Sequence, residues 1–161
     1  MNKKINEVLA GVAVETLEKL AFIFAFPSDE GDQIPTDSGI TARVYFEGPF
    51  SGTLAMSVSG EVLLELTENM LGMGDGEEMT ENQQHDALKE AINIVCGNLL
   101  PAIGGKESVF KIHAPEIITG AGGLGHGSET EAISIARLDI DDSPCDFLLF
   151  VDGEIPMELT G

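Results

Sequence analysis

The feature that most constrains the fold of this chain is a long helical repeat of apolar residues between positions 82 and 103. Placed at about 100° per residue, five of them fall in one stripe roughly 80° wide. These are Leu88, Ile92, Val95, Leu99 and Ile103. The repeat stops at Gly104 and Gly105, as is typical of a helix C-terminus. A helix with one apolar stripe must bury it against a second layer of structure.

The other periodic segments predict that second layer. Helical spacing predicts two more helices, at 4–24, where the apolar repeat runs from Ile5 to Phe24, and at 61–72. Alternation of apolar and polar residues predicts five strands, the first two joined as a hairpin. The predicted strands are 40–46, 52–58, 110–118, 132–140 and 147–151. The order α-β-β-α-α-β-β-β predicts one α+β domain over residues 1–161, with a mostly antiparallel sheet packed against long helices.

The net charge of the chain argues against two classes of partner. The chain has 28 Asp and Glu against 8 Lys and Arg, which gives a net charge of −20. Residues 1–26 contain three Lys and three Glu and are neutral, so the whole excess lies after them. Affinity for nucleic acid and for anionic membranes comes largely from clustered Lys and Arg, so the charge disfavours both as partners.

Cysteine usage and apolar run length bear on the location of the protein. The two cysteines, Cys96 and Cys145, form no C-x-x-C pair, which favours a reducing, cytoplasmic setting. The longest strongly apolar run, 20–26, is far shorter than the ~20 residues of a membrane-spanning helix. We therefore expect a cytoplasmic protein without a membrane span.

Two common kinds of small-molecule site are not supported by the sequence. A G-x-G-x-x-G pattern at 120–125 is followed by strand-like alternation, whereas a dinucleotide site needs a helix there, so the glycines are interpreted as a hairpin loop. The histidines, His85, His113 and His126, have no metal-ligand spacing with one another or with cysteine. We therefore predict no cofactor and no metal ion bound by the chain itself.

The polar face of the helix at 82–103 is more informative. Asp86, Glu90, Asn93 and Gly97 fall within about 60° of one another, opposite the apolar stripe. Any helix that faces water carries polar residues, but a glycine in mid-helix costs about 1 kcal/mol relative to alanine. A glycine there allows another backbone to approach closely.

Apolar residues are also expected at the borders of this polar face. On the wheel, Ile94 and Leu100 flank the polar row and lie outside the core stripe. A polar row with apolar borders suits a docked partner, whereas a purely solvated surface needs no such borders. From the residues alone, a solvated face and a partner-binding face both stay open.

The pattern Asp86-x-x-x-Glu90-x-x-Asn93, with Pro115 twenty-two positions after Asn93, resembles the signature of the CheC/CheX/FliY chemotaxis phosphatases. The run from Glu90 to Asn98 is similar to the active-site helix of that family. The predicted order of helices and strands resembles the family fold along essentially the whole chain.

The resemblance implies an activity and a set of roles. Family members hydrolyse the aspartyl-phosphate of a response-regulator receiver domain, typically CheY. By resemblance, Asn93 orients the attacking water and Glu90 pairs with the receiver's active-site lysine. Gly97 permits close approach, and Asp86 orients Glu90 or contacts the receiver. The Mg²⁺ ion belongs to the receiver, and the chain has no cofactor of its own.

The chain departs from CheC-type relatives, which carry a second E-x-x-N motif on the first helix. Here the third residue after each of Glu7, Glu15 and Glu18 is Ala, Glu and Ala, so Asn93 closes the only such motif. The resemblance is therefore to CheX-like members, with one site per subunit, and it implies a homodimer in which the first helix packs or dimerises. The alternative is a CheX-like docking or scaffold module without useful turnover.

Overall fold

The computed structural model describes residues 3–27, 39–72, 79–105, 109–118, 134–140 and 143–152. Three helices are present among them: α1 (Lys3–Ala21), α2 (Gly60–Leu71) and α3 (Glu81–Gly104). The strands are β1 (Phe26–Pro27), β2 (Gly39–Glu47), β3 (Ser51–Ser59), β4 (Lys111–Ile112), β5 (Glu116–Ile118), β6 (Ser134–Ile140) and β7 (Ser143–Asp152). The expected α+β class is confirmed.

The strands form one antiparallel sheet in the order β1-β6-β7-β3-β2-β4, and β5 also pairs with β2. The predicted hairpin is β2–β3, in which Val44 lies opposite Leu54. Leu54 in turn lies opposite Leu149 of β7. Because side chains alternate across a strand, these registers place the apolar residues of neighbouring strands on one face.

The three helices bury that face. The predicted stripe of α3 lies in the core, since Leu88, Ile92, Val95 and Leu99 are 0% exposed and Ile103 is 1% exposed. This helix packs against α1 and α2 and crosses β2 and β3. The polar side of α3 is therefore turned away from the sheet.

Both ends of α3 are held in place. At the start, the Thr80 side chain accepts a hydrogen bond from the Gln83 N–H (3.1 Å), and the Gln83 side chain accepts one from the Thr80 N–H (2.8 Å). This reciprocal pair is a capping box. At the end, the ring of Phe110 lies against Gly104, where an added Cβ would come within 2.8 Å of it. Phe110 itself packs edge-on against Phe46 and Phe50.

The predicted end of the first helix is wrong. The helix stops at Ala21, and Phe22 adopts a left-handed backbone (φ 55°) with its N–H donated to the Glu18 carbonyl at 3.0 Å. That conformation costs a bulky residue about 1–2 kcal/mol. Beyond it, exposure alternates, so Phe24 is 63% exposed and outside the core while Ile23 is buried. Because the exposure of the side chains alternates over these residues, the segment is not helical. It leads into β1, a strand that was not predicted.

The strand predicted at 110–118 is also corrected, because it is two short strands, β4 and β5, separated by 113–115. Pro115 accounts for the break, since it has no N–H to donate to the sheet. The last strand starts at Ser143, earlier than predicted. The glycine-rich loop at 120–127 lies outside the described residues.

We expect the capping box to stabilise the helix that carries the polar face. Thr80→Ala removes the side-chain acceptor and should lower the free energy of unfolding by about 1 kcal/mol. Thr80→Ser keeps the hydroxyl and should change it by only a few tenths. Urea denaturation followed by circular dichroism measures both, and equal stability of the two variants would contradict the capping role.

Candidate functional site

The predicted polar face of α3 is exposed. Asp86, Glu90, Asn93 and Gly97 are all exposed, whereas the residues on the other side of the helix are buried. Glu90 and Asn93 are i, i+3 neighbours, which places them side by side on the helix surface. The structure therefore brings the four predicted residues together on one accessible surface, which we call the α3 face.

Two of these side chains are available to a partner. Within the part of the chain that is described, the Glu90 carboxylate and the Asn93 amide make no hydrogen bond or ion pair. Asp86 differs, because its Oδ1 lies 3.6 Å from Nζ of Lys89. Of the two roles that the resemblance implies for Asp86, orienting Glu90 has no contact to support it here.

Ile94 is half-buried and forms one wall of a groove between α1 and α3 with a volume of about 530 Å³. The groove is lined by Val12, Glu15, Thr16, Lys19, Leu20, Ile94 and Asn98. Ile94 thus lies beside Asn93 at the border of the α3 face, as expected. Leu100 does not, because it is 1% exposed and belongs to the core, so its predicted position at the border is wrong. Among the described residues, Ile94 thus gives the polar row an apolar border on the α1 side.

A polar contact that the sequence pattern did not predict joins the two helices in this groove. Asn98 Nδ2 donates to Oγ1 of Thr16 at 3.1 Å, and Thr16 is only 4% exposed. The signal was present, since Thr16 is a polar residue within the apolar repeat of the first helix. A buried hydroxyl requires a partner, and Asn98 supplies it.

The rim of the groove on α1 carries a matched ion pair. Lys19 Nζ lies 2.6 Å from Oε1 of Glu15. The hydrogen bond from Lys19, together with its charge, lowers the pKa of Glu15, and the same contact raises the pKa of Lys19. Both side chains are exposed, so water screens the pair and it adds little stability. The two opposite charges make this rim of the groove neutral, whereas the α3 face presents the carboxylate of Glu90.

The α3 face presents a carboxylate that can pair with a cation and an amide that can donate and accept hydrogen bonds. Cys96, near Asn93 in sequence, is buried, and burial raises the pKa of its thiol to about 12, so it is no nucleophile at neutral pH. In the described ranges, no group of three His, Cys, Asp or Glu side chains is placed to hold a metal ion.

No helix among the described residues is long and apolar enough to cross a membrane.

Comparison with known families identifies the class of protein. The model of the family "chemotaxis phosphatase CheX" matches residues 40–136, more than half of the chain and including the whole α3 face. The chain therefore belongs to the CheX chemotaxis phosphatase family. No curated protein sequence matches the chain significantly.

Solved structures agree on the fold. CheX from Vibrio vulnificus is 15% identical, with a TM-score of 0.72 over 94% of this chain and 100% of that one. The CheX of a CheX–CheY–BeF3–Mg complex from Borrelia burgdorferi is 17% identical, with a TM-score of 0.68 over 91% of this chain and 97% of that one. A FliM middle domain from Vibrio alginolyticus is 20% identical, with a TM-score of 0.53 over 97% of this chain and 93% of that one. At such identities these likenesses show the fold.

We expect the two exposed mid-helix glycines to be replaceable without harm to the fold. An added Cβ at Gly97 of α3 or at Gly11 of α1 would meet nothing within 4 Å. Gly97→Ala and Gly11→Ala should each raise the free energy of unfolding by up to about 1 kcal/mol. Gly104→Ala is the contrasting control, because its Cβ would clash with Phe110, and it should be destabilising. A loss of stability in Gly97→Ala would show that this glycine has a structural role.

Proposed function

We propose that this chain hydrolyses the aspartyl-phosphate of a CheY-like receiver domain, with Glu90 and Asn93 as the working residues. The observation that carries the proposal is the exposed pair on α3, whose carboxylate and amide have no partner among the described residues, in a chain of the CheX family. The Borrelia burgdorferi CheX complex, which contains CheY, BeF3 and Mg, supports the class of partner.

The reaction requires little covalent chemistry from the phosphatase. A water oxygen attacks phosphorus while the bond from phosphorus to the aspartyl oxygen breaks, which releases inorganic phosphate and the free carboxylate. Alignment of the water with the breaking bond supplies most of the rate in such transfers. The Asn93 amide can donate to and accept from a water, and it does not titrate, so its proposed role is to position that water.

Glu90 is proposed to fix the register of the two proteins. Its exposed carboxylate would pair with the active-site lysine of the receiver, a charge-assisted hydrogen bond. The phosphoryl group stays in the receiver, which also supplies the Mg²⁺ ion, so a chain with net charge −20 needs no cationic phosphate site of its own. Gly97 and Ile94 would lie against the receiver beside this pair, and Asp86 at its edge.

The setting is part of the proposal. We place the protein in the cytoplasm, where the two buried free thiols, Cys96 and Cys145, would stay reduced. We also propose that it acts as a homodimer with one site per subunit, as the resemblance to CheX-like members implies.

A docking module without turnover is the rival proposal. The likeness to a FliM middle domain favours it, because the same fold occurs in a protein that is not named as a phosphatase. The two proposals differ over Asn93, since a scaffold has no use for an amide aimed at water. They are therefore separated by turnover and binding measured on the same variant.

We expect Asn93→Ala to reduce phosphate release from a Mg²⁺-loaded, phosphorylated CheY-like receiver by about 100-fold, because the water loses its positioning group. Binding to the receiver stabilised with BeF3 should change little. Asn82→Ala, the same substitution at another exposed position of α3, is the control and should leave both unchanged. Full activity of Asn93→Ala would refute the water-positioning role, and a parent protein that binds without accelerating hydrolysis would establish the scaffold.

We also expect Gly97→Ala to weaken receiver binding by about tenfold, because a methyl group would separate two closely packed backbones. Gly11→Ala should leave binding unchanged, although both glycines are exposed and both have room for a Cβ. Isothermal titration with the BeF3-loaded receiver measures the affinities. Since both substitutions are expected to stabilise the free chain, unfolding would not explain a selective loss. Equal affinities for the two variants would place Gly97 outside the interface.

A further inference from the structure

The groove between α1 and α3 opens beside the proposed working residues. Its wall on α3 is Ile94, which follows Asn93 along the helix, and its wall on α1 includes Val12 and Leu20. These three walls are half-buried, and the two on α1 pack against the core with one side while their other side stays in water. A protein seated on Asn93 therefore also covers the mouth of the groove.

The polar side chains of the groove are paired with one another, which leaves its apolar walls to contact a ligand. Asn98 donates to the Thr16 hydroxyl at 3.1 Å, and Lys19 lies 2.6 Å from Glu15 at the rim. A charged group buried between these walls would lack a partner, which is costly, whereas an apolar group loses nothing. The volume of about 530 Å³ lies within the range of ~300–1,000 Å³ that is usual for binding pockets. The groove therefore fits a large apolar side chain.

The α3 face by itself is too small to hold another protein. From Asp86 to Gly97 it extends along the helix by only about 16 Å, at 1.5 Å per residue. A stable complex covers about 800 Å² and 20–30 residues on each partner. A receiver held at Glu90 and Asn93 must therefore cover surface beyond the α3 face, and the groove is continuous with that face through Ile94.

The charges of the two helices that pack against α3 favour one direction of docking. α1 contains three Lys and three Glu and is neutral, whereas α2 contains three Glu and neither Lys nor Arg. A phosphorylated receiver carries a negative phosphoryl group, and its Mg²⁺ ion is held by oxygen ligands, chiefly carboxylates. Repulsion between these groups and the chain is weaker over α1 than over α2. The neutral helix is also the one that forms the groove.

We propose that a receiver docked on the α3 face leans toward α1 and inserts one apolar side chain into the groove between α1 and α3. The inference rests on the proposed function and adds the surface by which the chain selects its receiver. A receiver with an apolar residue at the matching position is bound tightly. One with a charged residue there is bound weakly, because the charge would be buried without a partner.

Isothermal titration with the BeF3-loaded receiver tests whether the groove is occupied. Val12→Phe places a ring in the groove and should weaken binding by about tenfold, because the side chain of the receiver loses its space. Leu20→Ser removes part of the apolar wall and should also weaken binding. Leu64→Phe is the matched control, since Leu64 is 45% exposed on α2, and it should leave the affinity unchanged. Circular dichroism verifies that each variant is folded.

Cross-linking identifies the occupant of the groove. Val12→Cys labelled with benzophenone should cross-link to the BeF3-loaded receiver, and mass spectrometry of the joined peptides should place the bond at or beside an apolar residue. Leu64→Cys with the same label should give no cross-link. The native thiols, Cys96 and Cys145, are buried, so the label reacts at the introduced cysteine. Aspartate at the identified receiver position should weaken binding to the parent about tenfold and have little further effect on Val12→Phe, whose groove is already filled.

A charge reversal at the rim tests the direction of docking. Lys19→Glu replaces the ion pair with two carboxylates and should weaken receiver binding several-fold, and the loss should shrink at high salt. Lys111→Glu makes the same change of charge at an exposed position of β4 and is the control. Equal losses in the two variants would assign the effect to net charge and contradict docking over α1.

Failure of this inference is distinguishable from failure of the proposed function. A parent that neither binds the receiver nor accelerates hydrolysis would reject both. A parent that does both, with unchanged binding in Val12→Phe and Leu20→Ser and no cross-link from position 12, would reject the groove alone. A cross-link from position 64 instead would place the receiver over α2. In the hydrolysis assay the loss in Val12→Phe should appear in KM, whereas that in Asn93→Ala should appear in kcat.

Discussion

The burial of one stripe of α3 is the contact on which the rest of the structure depends. That stripe closes the core between the sheet and the other two helices, and the residues that form it are almost without exposure to solvent. Phe110, packed on Phe46 and Phe50, presses against the C-terminal turn at Gly104. The helix can neither slide nor rotate without exposing large apolar side chains, so its outer face is fixed by its inner one.

Because its inner stripe is buried, α3 holds its exposed side chains in fixed positions relative to one another. Glu90 and Asn93 lie on a rigid helix with a capped start and a packed end, so only their own side-chain torsions need ordering on docking. The bond between Asn98 and Thr16 adds a tie to α1 beside them. Under the proposed function, such a site needs no deep pocket, because the reacting group would stay enclosed in the receiver.

Much of this could be predicted from the sequence, and the failures have identifiable causes. The α3 repeat is long, so its buried stripe and polar face follow from spacing alone. Short segments were less predictable: the left-handed turn at Phe22 ends α1 before the helical repeat ends, and Pro115 divides a segment that was predicted as one strand. The burial of Leu100 does not follow from an idealised wheel, because the wheel does not show which neighbouring elements cover each side of α3. The contact of Asn98 with Thr16 joins residues distant in sequence, which no local pattern records.

The lack of internal partners for Glu90 and Asn93 among the described residues also bears on how such a chain evolves. Neither side chain makes a contact with the described residues that would support the fold, so a single codon change at position 93 would remove the amide and leave the described fold intact. The reverse change would restore it from an equally stable ancestor. Phosphatase and adaptor would then be neighbours in sequence space, with no poorly folded intermediate between them.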